Sequence, residues 1–224
     1  MNILFIADPN SIHDVRWINF FSEKEEFSCY ILPRRSHYRK THVGATSLNA
    51  RASVLPPLSD PSTIRPWRNF LQVIKIKNAI KRYGIELVHV MYAEPNALWA
   101  NGKWLLGIPF VLTTRGTDVL RTIPEFYAKT DPLSIAIAFQ YTRALRNFDQ
   151  ITCTSKEQIN ALTALGINQS KVIIRTGVDF ETIDGLDDLC DPLKLDKPFI
   201  FMPRRMKPIY NHGFTMGAIS LLEQ

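Results

Sequence analysis

Cysteine is scarce in this chain of 224 residues, with one residue each at positions 29, 153 and 190. They form no CxxC pair and have no metal-ligand spacing. An odd, sparse set argues against a disulfide framework and favours a reducing compartment. No run approaches the roughly 20 apolar residues of a membrane span, and the start at 2–8 is too short and not basic enough for a signal peptide. We therefore expect a cytoplasmic protein.

Acidic residues are almost missing between positions 34 and 83, where Asp60 is the only one and the net charge of the whole chain is +6. The basic residues of this block are Arg34, Arg35, Arg39, Lys40, Arg51, Arg65, Arg68, Lys75, Lys77, Lys81 and Arg82. Such a block suits an anionic partner, such as a membrane surface or a phosphorylated lipid. A solvated helix face explains it equally well. No nucleic-acid-binding motif accompanies the charge, so we expect no nucleic acid as partner.

Short apolar runs alternate with amphipathic segments, a pattern typical of a parallel α/β sheet. Strands are predicted at 3–7, 27–32, 86–92, 110–114, 149–154 and 172–175, and helices at 12–21, 66–83, from Pro95 onward, 132–147 and 156–165. Residues 33–66 are predicted to be surface structure beside a cleft, with a short strand at 52–55 as the alternative. The fold class expected for residues 1–180 is therefore a Rossmann-like, doubly wound parallel sheet. No GxGxxG follows any of the strands, which disfavours an NAD-dependent enzyme.

Local signals add three expectations. Ser11 is a candidate N-cap, with Asp14 in the capping-box position. His89 lies inside a buried strand, where a hydrogen-bonded core histidine is expected. After residue 180 an acidic, irregular stretch at 181–197 predicts a linker, and 198–224 supplies one strand and one helix. Since two elements cannot form a domain, 198–224 is interpreted as the start of a truncated second domain.

The ordered motifs of the chain resemble family 4 glycosyltransferases of the GT-B fold. They are NILFIAD at 2–8, LVHV at 87–90, TTRGTD at 113–118, DQITCTS at 149–155, GVD at 177–179 and PRRMK at 203–207. The resemblance implies the N-terminal, acceptor-side half of an enzyme that moves a sugar from a nucleotide-sugar donor to a glycan or lipid-linked acceptor. It further implies retention of the anomeric configuration, no metal and no cofactor beyond the nucleotide-sugar. Without the donor-binding half, the chain by itself is expected to be inactive.

Ligands of open α/β sheets bind at the carboxyl ends of strands, so the loops there carry the candidate site. The resemblance places Arg115 and Asp118 near the reacting sugar, as the catalytic pair. Arginine supplies hydrogen-bond donors and a fixed charge but is not a base, so its expected role is electrostatic or positional. The alternative for Asp118 is a turn in which it caps the next helix.

The remaining candidates divide between the two substrates. Asn10, Ser11, His13 and Glu94 are predicted to bind the acceptor, although Glu94 is also explained as a carboxylate at a helix start. The resemblance implies a Gly-rich loop after the first strand, whose backbone amides approach the donor phosphates. Since residues 8–11 contain no glycine, we expect phosphate contact through the Asn10 or Ser11 side chain instead. Through the resemblance, Arg204, Arg205 and Lys207 would bind the donor diphosphate. The family's lysine is expected about five residues after the arginine, where Ile209 and Tyr210 stand instead, so either Lys207 replaces it or that contact is lost.

A non-catalytic reading stays open beside the enzyme. The same Rossmann-like core could serve as a scaffold that binds a glycan or an anionic lipid without transferring a sugar. For the enzyme, the expected location is cytoplasmic, with peripheral contact at the inner face of the membrane as the alternative to a free protein.

Overall fold

The computed structural model describes residues 1–36, 48–65 and 67–175. Residues Met1–Thr176 group into one compact unit. The predicted linker at 181–197, the strand and helix at 198–224, and the candidates Arg204, Arg205 and Lys207 lie outside the described residues. The predicted domain boundary therefore stays a prediction.

Within the described ranges, seven strands form a single sheet in the order β3-β2-β1-β4-β5-β6-β7. The strands are β1 (Asn2–Ile6), β2 (Ser28–Ile31), β3 (Ser53–Val54), β4 (Leu87–Met91), β5 (Phe110–Thr113), β6 (Gln150–Cys153) and β7 (Ser170–Ile173). The helices are α1 (Ile12–Ser22), α2 (Trp67–Tyr83), α3 (Ala93–Asn96), α4 (Ile123–Tyr127), α5 (Pro132–Arg146) and α6 (Lys156–Ala164). Every strand pair is parallel. The expected Rossmann-like sheet is confirmed.

The order of strands reverses beside β1, which pairs with β2 on one side and with β4 on the other. Right-handed crossovers that run in opposite directions from this point lie on opposite faces of the sheet. Alternate residues of β1 accordingly enter different apolar layers: Ile3 and Phe5 pack beneath α1, whereas Leu4 and Ile6 pack with α2 and α5. The reversal marks the crevice where ligands of open α/β sheets bind.

The predicted helix from Pro95 is the one element that differs in kind. A single turn at Ala93–Asn96, interrupted by an extended Glu94 (φ −99°, ψ 121°), leads into a 3₁₀ segment at Ala97–Leu105. A residue before proline is sterically kept out of the helical region, which accounts for the break. A Cβ added to Gly102 would lie 2.5 Å from a Val73 methyl, so glycine lets the segment lie directly against α2.

No helix in the described part of the chain is both long and apolar enough to cross a membrane.

His89 lies inside the sheet, as expected from its strand. Its Nε2 is 2.7 Å from Thr113 Oγ1, which is in turn 2.7 Å from Thr152 Oγ1, so a chain of hydrogen bonds joins β4, β5 and β6. The ring also packs against Phe5 and Trp17. Burial lowers the pKa of His89 to about 4. The prediction of a hydrogen-bonded core histidine is confirmed.

The lowered pKa of His89 predicts a loss of stability in acid. The unfolded chain binds a proton at this residue below its ordinary pKa of about 6.5, whereas the folded chain does so only near pH 4. The free energy of unfolding should therefore fall by about 1.4 kcal/mol per pH unit on this account as pH drops through that window. Urea titrations between pH 7 and pH 4.5 measure the slope. In His89→Gln, which keeps a hydrogen-bonding side chain, the slope should be shallower; an equal slope in both proteins would refute the assignment.

Candidate functional site

The loops that follow β1, β4 and β5 meet at the carboxyl edge of the sheet. These strands are direct neighbours, with Leu4 beside Val88 and Val90 beside Leu112. The segments 8–11, 92–94 and 115–118 consequently lie on one rim, as the sequence predicted. Hydrogen bonds from Asp118 and Arg115 connect these loops to one another.

Asp118 ties two of these loops together. Its Oδ2 accepts a hydrogen bond from the Ala93 N–H at 2.8 Å, in the loop after β4. Its Oδ1 accepts from the N–H groups of Arg115, Gly116 and Val119 at 3.1, 2.9 and 3.1 Å. The side chain is fully buried. Burial raises the pKa of Asp118, and the backbone donors oppose that rise.

This geometry gives Asp118 a positioning role at the start of the π-helical turn Asp118–Thr122. Thr117 holds the N-cap position of this turn and Asp118 is its first residue, so the bond from the Val119 N–H lies within the turn. Both carboxylate oxygens already accept backbone hydrogen bonds, so the Asp118 side chain stabilises the conformation of the two loops from within the protein. Its assignment to the catalytic pair stays a prediction.

Arg115 reaches from the end of β5 to the loop after β1. Its Nη1 donates to Ser11 Oγ at 3.0 Å, and its Nη2 forms an ion pair with the buried Asp14. Burial lowers the pKa of Arg115 to about 10, with Asp118 and Asp8 acting in the opposite direction. The guanidinium therefore keeps its charge at neutral pH and is held in place by α1.

Asp14 has a different role from the capping-box role that the sequence predicted. A capping box would direct its carboxylate to the N–H of Ser11. Instead, Oδ2 accepts from the N–H of Asp8 at 2.7 Å, and the other oxygen pairs with Arg115. Ser11 does occupy the N-cap position, but its hydroxyl makes no cap hydrogen bond. The capping-box expectation is wrong because the side chains of Ser11 and Asp14 both bind Arg115 instead. The only sequence signal for this ion pair was an acidic residue in the first turn of α1.

His13 and Asn10 belong to the same corner of the rim. His13 is exposed on the first turn of α1, and desolvation together with the charges of Arg115 and Arg16 lowers its pKa. It is therefore neutral at physiological pH. Asn10 lies in a turn in which its N–H donates to the Asp8 carboxylate at 2.9 Å. The acceptor-binding roles of both residues stay predictions.

Glu94 stands on a strained stretch of backbone. Tyr92, at the end of β4, has a φ of +68°, a region that a bulky side chain rarely adopts and that often marks a functional site. Glu94 is half-buried, and burial raises its pKa while the charge of Arg34 lowers it. Arg34 pairs with Asp60 at 3.2 Å. Sequence reasoning identified Arg34 only as one of the basic residues of 34–83 and missed it as a neighbour of the candidate site. Its place directly after β2 was a signal for the site.

Among the described residues, no three His, Cys, Asp or Glu side chains come together as a metal site would require. That the reaction needs no metal stays a prediction. The chemistry that the described rim offers is a fixed cation, a neutral imidazole, an amide and the half-buried carboxylates of Asp8 and Glu94.

Replacing Asp118 tests whether the rim depends on its carboxylate. In Asp118→Asn one oxygen becomes an NH₂ group that faces backbone donors and leaves at least one of them unsatisfied. The free energy of unfolding should fall by about 2–3 kcal/mol. Urea denaturation measures the loss. Asp131→Asn is the matched control, because Asp131 accepts the Ser134 N–H at an exposed N-cap, where asparagine serves equally well. Equal effects of the two changes would contradict the assignment.

Solved structures similar to this chain are enzymes that act on sugars. Sucrose-phosphate synthase from Thermosynechococcus elongatus has 15% identity and a TM-score of 0.58, with 88% of this chain and 54% of that chain covered. UGT2 from Phytolacca americana, in complex with UDP-2-fluoro-glucose and pterostilbene, has 12% identity and a TM-score of 0.52, with coverage of 83% and 56%. The lipopolysaccharide outer core galactosyltransferase WaaB has 13% identity and a TM-score of 0.50, with coverage of 80% and 46%.

These likenesses establish the fold, and this chain spans about half the length of the three structures. No curated protein sequence matches it significantly. The family is established independently, because the model described as Glycosyltransferase Family 4 matches residues 28–182. That range contains β2 to β7 and both loops joined by Asp118. The resemblance inferred from the ordered motifs is thus confirmed, and the chain belongs to glycosyltransferase family 4.

Proposed function

We propose that this protein transfers a sugar from a nucleotide-sugar donor to a glycan or lipid-linked acceptor, with retention at the anomeric carbon. Family membership supports the reaction class. The UDP-sugar in the UGT2 structure supports the class of donor, and the lipopolysaccharide substrate in the name of WaaB supports the class of acceptor. The chemistry assigned to each residue rests on the geometry of the rim.

The observation that carries the proposal is the guanidinium of Arg115, immobilised by Asp14 and Ser11 at the switch point of the sheet. With a pKa of about 10 it is a permanent donor at neutral pH. In our proposal it donates hydrogen bonds to the donor sugar and offsets negative charge that develops as the nucleotide departs. Preorganised charge of this kind lowers the barrier without reorganisation during the reaction.

Glu94 is proposed to hold the acceptor. Its half-buried carboxylate can accept a hydrogen bond from a sugar hydroxyl, with Asn10, Ser11 and His13 contributing further polar contacts from the neighbouring loop. Asp118 supports this arrangement from behind through Ala93 and Arg115. A retaining reaction at this rim needs no strong base at the hydroxyl, which agrees with the fully occupied carboxylate of Asp118.

Arg204, Arg205 and Lys207 are proposed to bind the donor diphosphate. Transfer at a domain interface needs both walls to orient the reactants. We therefore expect residues 1–224 alone to be inactive, and a product translated past the Gln224 codon to carry the activity if that reading frame continues.

The direct test is a transfer assay on both proteins, the 224-residue chain and any longer product of the gene. Each is incubated with a panel of UDP-, GDP- and ADP-sugars and lipid-linked oligosaccharides, and nucleotide release and product mass are measured. Sugar transfer with an axial product anomer from an axial donor would support the proposal. Glycan or lipid binding without transfer by every available form of the protein would instead establish the non-catalytic binding module.

Arg115→Lys isolates the proposed electrostatic role. Lysine keeps the charge but cannot donate to Ser11 and pair with Asp14 in the planar geometry of arginine. In the active protein we expect kcat/KM to fall about 10- to 100-fold, equivalent to about 1.4–2.7 kcal/mol. Arg121→Lys is the control, since Arg121 forms an exposed ion pair with Glu125 one turn later. Undiminished kcat/KM in Arg115→Lys would remove Arg115 from the mechanism.

Glu94→Gln separates acceptor binding from base catalysis. Glutamine retains an acceptor oxygen, so we expect the KM for the acceptor to rise about three- to tenfold while kcat changes by less than tenfold. Steady-state kinetics with varied acceptor measure both constants. A fall in kcat of about a thousandfold at unchanged KM, with an inverted product anomer, would show that Glu94 is a general base and that the reaction is not retaining.

A further inference from the structure

An open apolar groove lies on the α2 and α5 face of the sheet, between these helices and the 3₁₀ segment. Its volume is about 800 Å³, and its walls include Phe70 and Val73 from α2, Trp104 and Leu105 from the 3₁₀ segment, and Ile135 and Phe139 from α5. It contains none of the rim residues Ser11, Glu94 or Arg115. The groove is therefore a separate surface feature of the described chain.

Large apolar side chains around this groove point into solvent. Trp104 is 72% exposed and Phe139 is 68% exposed. The same face carries Trp67, Phe70, Leu71, Ile74, Leu133 and Ile135, all of them exposed as well. Four of these exposed side chains, Phe70, Trp104, Ile135 and Phe139, line the one groove. Such a cluster on three elements indicates an interaction surface, because single exposed apolar side chains are common but clusters are not.

The charges of the same three elements all have one sign. Their basic residues are Arg68, Lys75, Lys77, Lys81, Arg82, Lys103, Arg143 and Arg146, and none of the three contains Asp or Glu. Arg143 lines the groove itself, whereas Lys103 is engaged by Asp149. A partner for this face must therefore accept apolar and aromatic groups and carry negative charge around them.

We propose that the groove face docks on an anionic lipid bilayer. Exposed tryptophan and aliphatic side chains among Lys and Arg are the composition of surfaces that lie in the membrane interface. Each basic residue near anionic headgroups adds attraction that falls off within the Debye length. The basic block at 34–83 predicted an anionic partner, and the fold adds what the sequence lacked: α5 and Trp104 beside α2. The inference does not rest on sugar transfer.

The position of the face relative to the site is compatible with a substrate anchored in the bilayer. Since α2 and α5 each connect parallel strands, they begin at the carboxyl edge of the sheet. Their first turns, with Trp67 and Leu133, are therefore at the same edge as the rim. A chain docked in this way would present its candidate site next to the lipid surface.

Vesicle flotation tests the proposal with the 224-residue chain. Vesicles of phosphatidylcholine alone are compared with vesicles that also contain phosphatidylglycerol, at low and high salt. We expect binding to the anionic vesicles only, weakened by salt, together with a blue shift of tryptophan fluorescence. Equal binding to neutral vesicles, or no binding to either, would overturn the proposal.

Two variants locate the contact. Trp104→Ser combined with Phe139→Ser should weaken the vesicle partition coefficient at least tenfold. Phe20→Ser, which removes a 56% exposed phenylalanine from α1 on the opposite face, should leave it unchanged. Circular dichroism melts confirm folding. If the double variant does not fold, Arg68→Ala with Arg143→Ala provides the second test: we expect a tenfold loss, against no change in Lys24→Ala, which lies beside Phe20 on the opposite face. Control variants that weaken binding as strongly as the groove variants would refute this face.

A second copy of the chain is the competing occupant. Sedimentation velocity without lipid distinguishes it: a dimer that Trp104→Ser with Phe139→Ser converts to a monomer, with no vesicle binding by the parent chain, would assign the groove to self-association and overturn the lipid proposal. A monomer in solution that floats with anionic vesicles would support it.

Discussion

The buried carboxylate of Asp118 is the constraint on which the candidate site depends. It accepts backbone hydrogen bonds from both sides of the boundary between β4 and β5, and so fixes the loop after one strand to the turn after the next. A group so fully surrounded by donors can remain buried, whereas an unpaired carboxylate could not. These hydrogen bonds fix the position of Glu94 and the direction of Arg115. Asp118 binds the N–H of Ala93, the residue before Glu94, and the N–H of Arg115 itself.

A second constraint links the same turn to the first helix. Arg115 leaves the end of β5 and meets Asp14 and Ser11, so three consecutive loops of the carboxyl edge are joined in a line. The resulting rim is preorganised: its cation cannot move without breaking a buried ion pair. This rigidity suits a reaction in which the protein orients two substrates and stabilises charge, which is the role proposed for it.

The two faces of the sheet differ in what they present. Beneath α1, His89 and the threonines of β5 and β6 form a hydrogen-bonded layer closed off by Phe5 and Trp17. On the other face, α2 and α5 bury one stripe in the core and leave a second apolar stripe in water. An amphipathic helix needs only its inner stripe for folding, so the outer stripe calls for a separate explanation, which the proposed lipid surface supplies.

The sequence alone determined the alternation of strands and helices and most of their positions, because hydrophobic periodicity and strand-end turns are local signals; it did not place α4 or the π-helical turn before it. It placed six of the seven strands, the family motifs and the rim loops, and it recognised His89 as a core residue, whereas the two-residue strand β3 was only an alternative within a predicted surface segment. Tertiary structure decided what no local pattern encodes. Asp14 left its expected cap for an arginine about a hundred positions away, and the helix after β4 became a 3₁₀ segment beside Val73. Such contacts depend on strand order and on the distance between packed elements, and these exist only once the sheet has formed.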